Sequence, residues 1–205
     1  LHLCHHNLES IDTTSRTKHD LLLEVCYAAK YEGDSIKTDY TKHQHKYGDP
    51  PSQICTVLAR SFADIGDIVR GRDLFRGNTY ESAQRKQLDK KLKKIFGKIY
   101  KELIKNGSNG KLKTRYGSDK ENFYQLREDW WDANRETVWE AMTCSEDLKN
   151  SSYFHATCDI NNEKGPSQTH NKCRCTKSSG AKPGKGSGDV SIVPTYFDYV
   201  PQYLR

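Results

Sequence analysis

The chain has 205 residues, of which 33 are Lys or Arg and 27 are Asp or Glu, giving a formal net charge of +6. No apolar run approaches the ~18 residues that a membrane-spanning helix needs, so the sequence excludes a transmembrane segment. Only 34% of the residues are hydrophobic. The low net charge, the 3 Trp, 12 Tyr and 6 Phe residues and the seven cysteines nevertheless indicate a folded, cross-linked body rather than a disordered chain.

The first residues, Leu1 to His6, contain no initiator Met, no basic segment and no long apolar segment. We therefore expect any targeting signal to lie outside this chain, in a longer protein of which it is a piece. The cysteines are scattered and include no Cys-x-x-Cys pair, so we expect disulfides formed in an oxidising compartment. Seven is an odd number, which leaves one cysteine over and the pairing open. The cysteines are Cys4, Cys26, Cys55, Cys144, Cys158, Cys173 and Cys175.

The apolar spacing is mostly helical, and strands are hard to find. The predicted helices span residues 18–32, 52–70, 80–105 and 119–143. The first stops near Gly33, and the fourth opens at a capping box, Ser118 to Glu121. The fourth helix is apolar over more than half of its circumference, so we expect it to be central. The sequence thus predicts one all-α domain over residues 1–205, a disulfide-stabilised helical bundle with long irregular loops, including a flexible Gly/Ser/Lys loop at 176–189.

The third predicted helix has a basic face opposite an apolar one. Its predicted core residues are Leu88, Leu92, Ile95, Phe96, Ile99 and Leu103. Residues 85–115 hold 12 Lys and Arg residues and only two acids, so the positive charge is local rather than spread over the chain. The candidate anion-binding residues are Lys90, Lys94, Lys98, Lys101, Lys105, Lys111, Lys113 and Arg115.

A concentrated cationic surface is suited to a polyanion, because binding relieves repulsion between like charges and releases counterions. Disulfides argue against nucleic acid, an intracellular partner, and no nucleic-acid-binding motif is present. Insertion into a membrane is disfavoured because the apolar face of the helix is expected to pack in the protein core. A sulfated glycan remains as the candidate ligand. The charge pattern alone leaves open the alternative that the lysines form a solvated helix face.

Candidate catalytic and metal sites are weak. Asp64 and Asp67 lie three residues apart, but Arg60 and Arg70 are placed to neutralise them. The segment Asp129 to Asp132 contains two tryptophans at core positions and two acids typical of a solvent face. The His/Cys clusters are His2, Cys4, His5 and His6, and His170, Cys173 and Cys175. Their spacing is not that of tetrahedral zinc, and motifs of hydrolases and nucleotide-binding proteins are missing, so we expect no metal, no cofactor and no enzyme.

Several long motifs carry a family resemblance. They are DIGDIVRGRDLF at 64–75, REDWWDANR at 127–135, WEAMTC at 139–144, YFHATC at 153–158, CRC at 173–175 and the tail at 194–205. Together they resemble the Duffy-binding-like domain, N-terminal alpha class, of the malaria parasite's variant erythrocyte membrane adhesins. The chain is similar to the middle subdomain of that domain over essentially its whole length. His155 departs from the pattern, where the family usually carries Arg.

The resemblance implies a non-catalytic adhesion module on the extracellular face of the infected erythrocyte membrane, anchored by a transmembrane segment outside this chain. It implies host erythrocyte or endothelial receptors as partners, rosetting through sulfated glycans or blood-group sugars, and exposure to antibodies. Two hypotheses follow. Either the basic helix binds sulfated glycan, or this is a structural subdomain whose receptor contacts are protein-mediated, through variable loops or neighbouring subdomains.

Overall fold

A computed structural model describes residues 17–47, 53–74, 79–105, 109–158, 166–169, 171–175 and 192–205. The α-helices are α1 (Thr17–Tyr47), α2 (Gln53–Arg70), α3 (Thr79–Lys105), α4 (Asn109–Tyr116) and α5 (Tyr124–Met142). Short 3₁₀ turns span Glu146–Leu148, Phe197–Tyr199 and Gln202–Leu204. In these ranges the only β-structure is a pair of isolated antiparallel bridges. The predicted all-α, disulfide-stabilised bundle is confirmed.

Helix α5 is central, as its wide apolar arc predicts, and it contacts each of the other four helices. Trp131 and Trp139, two turns apart on α5, are completely buried. Phe62 of α2 packs against both, with ring centroids 5.1 Å from each indole. Aromatic groups of this size contribute most of the buried area in a small core, so they fix α2 against α5.

Helix α1 is longer than predicted, because it continues through Gly33 instead of stopping there. A Cβ atom on Gly33 would lie 2.2 Å from the carbonyl oxygen of Met142, so the glycine permits close packing of α1 on α5. The polar half of α1 is held by local bonds: Lys37, which is buried, pairs with Asp34 at 2.5 Å. The sequence pattern predicted that the helix ends at Gly33, whereas the glycine lies inside α1 and allows it to pack closely against α5.

Three other helix predictions need correction. The segment after α3 was expected to be a loop but contains α4. Helix α5 begins at Tyr124 rather than 119, because the carboxylate of Asp119 accepts hydrogen bonds from the backbone N–H groups of Asn122 and Tyr124. Leu88, predicted in the core, is 42% exposed, since the start of α3 extends beyond the packed part of the bundle. The predicted flexible loop at 176–189 lies outside the described residues.

Disulfides join the irregular C-terminal segments to the bundle. Cys55 on α2 is bonded to Cys173, 118 residues away, and Cys158 is bonded to Cys175. Cys144 is also disulfide-bonded, whereas Cys26 is a free, buried thiol. Burial, with a smaller contribution from the nearby Glu140 carboxylate, raises the pKa of Cys26 to about 12, so the thiol stays protonated and unreactive. Cys4 lies outside the described residues.

Candidate functional site

The solvent side of α3 carries the lysines that the sequence pattern singled out. Leu92, Phe96 and Ile99 turn inward and are at most 5% exposed. Because each residue turns the helix by about 100°, the lysines between them point to the opposite side. Five exposed ones, which we call the lysine face, are Lys90, Lys94, Lys98, Lys101 and Lys105. From first to last they span about 22 Å of helix.

Acidic groups near the lysine face are already engaged. Asp89 pairs with Arg127 at 2.9 Å and with Lys93 at 3.0 Å, and neither of these cations belongs to the lysine face. Burial alone would raise the pKa of Asp89, but hydrogen bonds from Lys93 and Arg127 outweigh it and lower that pKa. None of the five lysines forms an ion pair with another residue in the described part of the chain. The local charge is therefore strongly positive.

The cations of α4 divide into two kinds. Lys111 and Lys113 are exposed. Arg115 instead donates two hydrogen bonds of 2.7 Å to the carboxylate of Asp129 on α5, which also accepts one of 2.7 Å from the Tyr116 hydroxyl. The Arg115 hydrogen bonds are the main reason that the pKa of Asp129 falls to about 2. The same contacts raise the pKa of Arg115, which therefore already has an anionic partner.

The acidic pair on α2 is neutralised by arginines, as predicted, but with a change of partner. Asp67 pairs with Arg70 at 2.8 Å and also with Arg205. Asp64 pairs with Arg205 at 3.2 Å and not with Arg60, because the C-terminal tail folds back over α2. No group of three or more potential metal ligands occurs among the described residues.

The other residues that the sequence suggested as possible site residues have structural roles in the described part of the chain. Trp130 and Trp131 are buried, in agreement with the core positions predicted for them. Cys173 and Cys175 are in disulfides, so their sulfur atoms are not available as thiolate ligands. The N-terminal His/Cys cluster and His170 lie outside the described residues.

A second group of cations lies inside the bundle. We call Arg70, Arg127, Arg135 and Asp198 the buried arginine network. Arg135 donates two hydrogen bonds of 2.8 Å to the Asp198 carboxylate, from Nε and Nη2, and the Trp131 indole N–H donates to the same carboxylate at 2.9 Å. Arg70 donates to the carbonyl oxygen of Asp198. Asp198 is completely buried, so the tail is held by a desolvated, fully paired charge.

Arg127 lies at the other end of this network. Its side chain is fully buried and donates to the carbonyl oxygens of Val69 at 2.6 Å and Ile68 at 3.0 Å, at the C-terminal end of α2. The ion pair with Asp89 adds α3 to the same junction. Sequence reasoning missed this role. The available signal was an arginine within an apolar arc that had to be buried, where a charge requires a partner.

The motifs at 64–75, 127–135 and 194–205 thus meet at one junction. The family model described as the Duffy binding domain matches residues 1–205. The chain belongs to the Duffy-binding domain family. The resemblance that the motifs predict is therefore confirmed.

Solved structures of PfEMP1 domains are similar to this Duffy-binding domain. The N-terminal NTS-DBL1α and CIDRγ double domain of the PfEMP1 protein from the Plasmodium falciparum varO strain is 38% identical, with a TM-score of 0.64 over 96% of this chain and 24% of that chain. The PfEMP1 IT4var13 DBLβ domain bound to ICAM-1 is 38% identical, with a TM-score of 0.51 over 70% of this chain and 34% of that one. A second DBLβ domain, from a PfEMP1 bound to human ICAM-1, is 32% identical, with a TM-score of 0.52 over 68% and 28%.

This Duffy-binding domain spans about a quarter to a third of the length of those structures. No curated protein matches the chain. None of the helices in the described ranges combines the length and the apolar character needed to cross a membrane.

Proposed function

We propose that this domain is a host-receptor-binding adhesion module that binds sulfated glycan through the lysine face of α3. The observation that carries the proposal is five exposed lysines along about 22 Å of one helix, none of which forms an ion pair with another residue in the described part of the chain. A linear sulfated chain laid along the helix axis matches this arrangement, since each lysine that pairs with a sulfate releases a counterion from the chain and so favours binding. Because the lysines are exposed, the affinity falls as salt screens them.

Membership of the family supports the setting that the sequence resemblance implies. We infer display on the outer face of the infected erythrocyte membrane, with host erythrocyte or endothelial cells as the surfaces bound and rosetting as one outcome. The module acts by binding and catalyses no reaction. Lysine is suited to this role because its ammonium group is a compact charge on a flexible stem that can follow differently sulfated chains.

The test is charge reversal on the lysine face. The variant with Lys94, Lys98 and Lys101 replaced by Glu should lose retention on immobilised heparin at moderate salt, while its urea unfolding midpoint stays close to that of the parent. The matched control reverses three exposed cations elsewhere, at Lys42, Arg60 and Lys149, and changes the net charge equally. Unchanged retention in the first variant, or equal loss in both, would remove the lysine face as the ligand site.

A protein receptor is the second candidate, because two DBLβ relatives have structures in complex with ICAM-1. In that case the contacts come from variable loops or neighbouring subdomains, and this part of the protein acts as a scaffold. Adhesion to receptor-bearing cells would then withstand charge reversal on the lysine face and would be blocked by antibodies against the loop at 176–189.

A further inference from the structure

Helix α4 is too short to be stable by itself. It has eight residues, whereas isolated helices need about 12–15 to form in water. It packs against α3 and α5, and Tyr116 at its end rests against the hydrophobic core. The polar contacts that fix it to α5 converge on one carboxylate, Asp129.

We propose that Asp129 is a positioning residue for polyanion binding: it clamps α4 to α5 and thereby presents Lys111 and Lys113 to the ligand of the lysine face. The proposal rests on the proposed function. Arg115 then belongs to the clamp and not to the ligand surface. Asp129 accepts two hydrogen bonds from Arg115, one from Tyr116 and one of 3.0 Å from Gln125, so both carboxylate oxygens are engaged.

The geometry supports a fixed position for α4. A bidentate arginine–carboxylate pair sets orientation as well as distance, which a lysine cannot reproduce. The Tyr116 hydroxyl bonds the same Oδ2 atom that Arg115 Nε reaches, so consecutive residues of α4 are fixed together. Rigid presentation raises affinity because the backbone that carries Lys111 and Lys113 is ordered before the ligand arrives.

A positioning role for Asp129 and simple electrostatics predict opposite effects of Asp129→Asn on heparin affinity. Asp129→Asn removes a negative charge close to the basic surface and frees Arg115, so Coulomb attraction alone would strengthen heparin binding. If Asp129 acts by positioning α4, the same change weakens binding, by roughly three- to tenfold. Arg115→Lys keeps the net charge and loses the bidentate contact, so it should weaken binding in the same direction.

The experiment measures heparin affinity of the 205-residue chain by titration at several salt concentrations, together with amide hydrogen exchange over 109–116. We expect both variants to bind more weakly, to exchange faster in α4 alone, and to show no further loss when Lys111 and Lys113 are also replaced by Gln. Glu121→Gln is the matched control: it removes an exposed acid with no hydrogen-bonded partner among the described residues, and it should leave binding equal or slightly stronger.

Each outcome is decisive. Tighter binding by Asp129→Asn, or losses that add to those of the Lys111 and Lys113 changes, overturns the positioning role. An unaffected affinity after replacing Lys111 and Lys113 shows that α4 lies outside the site, which also overturns the inference while leaving the lysine face intact. Absence of heparin binding by the parent chain refutes the proposed function itself.

Discussion

The buried arginine network and the lysine face are two concentrations of positive charge on one small bundle, and they differ in every respect that matters for function. In the network each arginine is desolvated and paired: Arg135 and Arg70 hold Asp198, and Arg127 holds backbone carbonyls and Asp89. On the lysine face the lysines are exposed and have no ion-pair partner among the described residues.

The difference separates residues that build the fold from residues free to meet a ligand. A buried charge that loses its partner costs several kcal/mol, so positions in the network are constrained by stability. An exposed lysine costs almost nothing to replace, so the lysine face can respond to selection by a ligand. The motifs that identify the family fall on the first group, which explains how they can reveal the fold and leave the ligand undetermined.

The largest expected effect is in the network, for Asp198→Asn. The amide keeps the shape of the side chain but leaves Arg135 buried without its counter-ion, so we expect the free energy of unfolding to fall by about 3–5 kcal/mol. Urea denaturation followed by tryptophan fluorescence measures it, since Trp131 donates to the same carboxylate. Asp39→Asn, at an exposed carboxylate of α1, is the control and should change stability by less than about 0.5 kcal/mol. Equal effects in the two variants would erase the distinction between the regions.

A pair of glycines gives a smaller test of the same contrast. Gly71, after α2, has a φ of 74°, and a Cβ there would lie 2.8 Å from the Arg127 guanidinium carbon. Gly71→Ala should therefore cost about 1–3 kcal/mol, through backbone strain and displacement of Arg127. Gly110 on α4 has open space around it, so Gly110→Ala should stabilise by about 0.4–1 kcal/mol. Thermal unfolding of both variants compares them directly, and a loss at both positions would contradict the prediction.

What the sequence revealed, and what it concealed, follows the same division. Helical periodicity located the cores of α2, α3 and α5 and placed the lysines on the side of α3 away from Phe96, because those features depend on neighbours within one helix. Gly33 was misread since its meaning depends on Met142, more than a hundred residues away. Residues 109–116 were predicted to be a loop because Leu112 and Tyr116 are too few to establish a helical periodicity among eight residues.

The buried arginine network could not be derived from local pattern at all. Arg135 and Asp198 are 63 residues apart, and nothing in the periodicity of either segment indicates that they meet. Charged residues are expected on the surface unless a partner is known, so the motif at 127–135 suggested an acidic, solvent-facing side to α5. The structure shows instead that its arginines turn inward, and that Asp129 faces α4.

Asp129 sharpens the comparison because its ion pair with Arg115 lies between the two extremes, paired yet partly exposed. The Arg115 hydrogen bonds hold its pKa at about 2 in the folded protein, below the ordinary 3.8. A carboxyl group whose pKa is lowered by folding stabilises the fold at pH values above its pKa in the unfolded chain, and that contribution is lost as pH falls from about 4 to about 2.

The free energies of unfolding of the parent and of Asp129→Asn, measured in urea, should therefore differ at pH 5 and converge towards pH 2. The difference should be small, because solvent screens an exposed pair. Glu121→Gln, at an exposed acid, is the control and should change stability by less than about 0.5 kcal/mol. A parent-to-variant gap that stays constant down to pH 2 would mean that the paired charge of Asp129 contributes nothing, and would place this contact with the solvated lysines instead of the network.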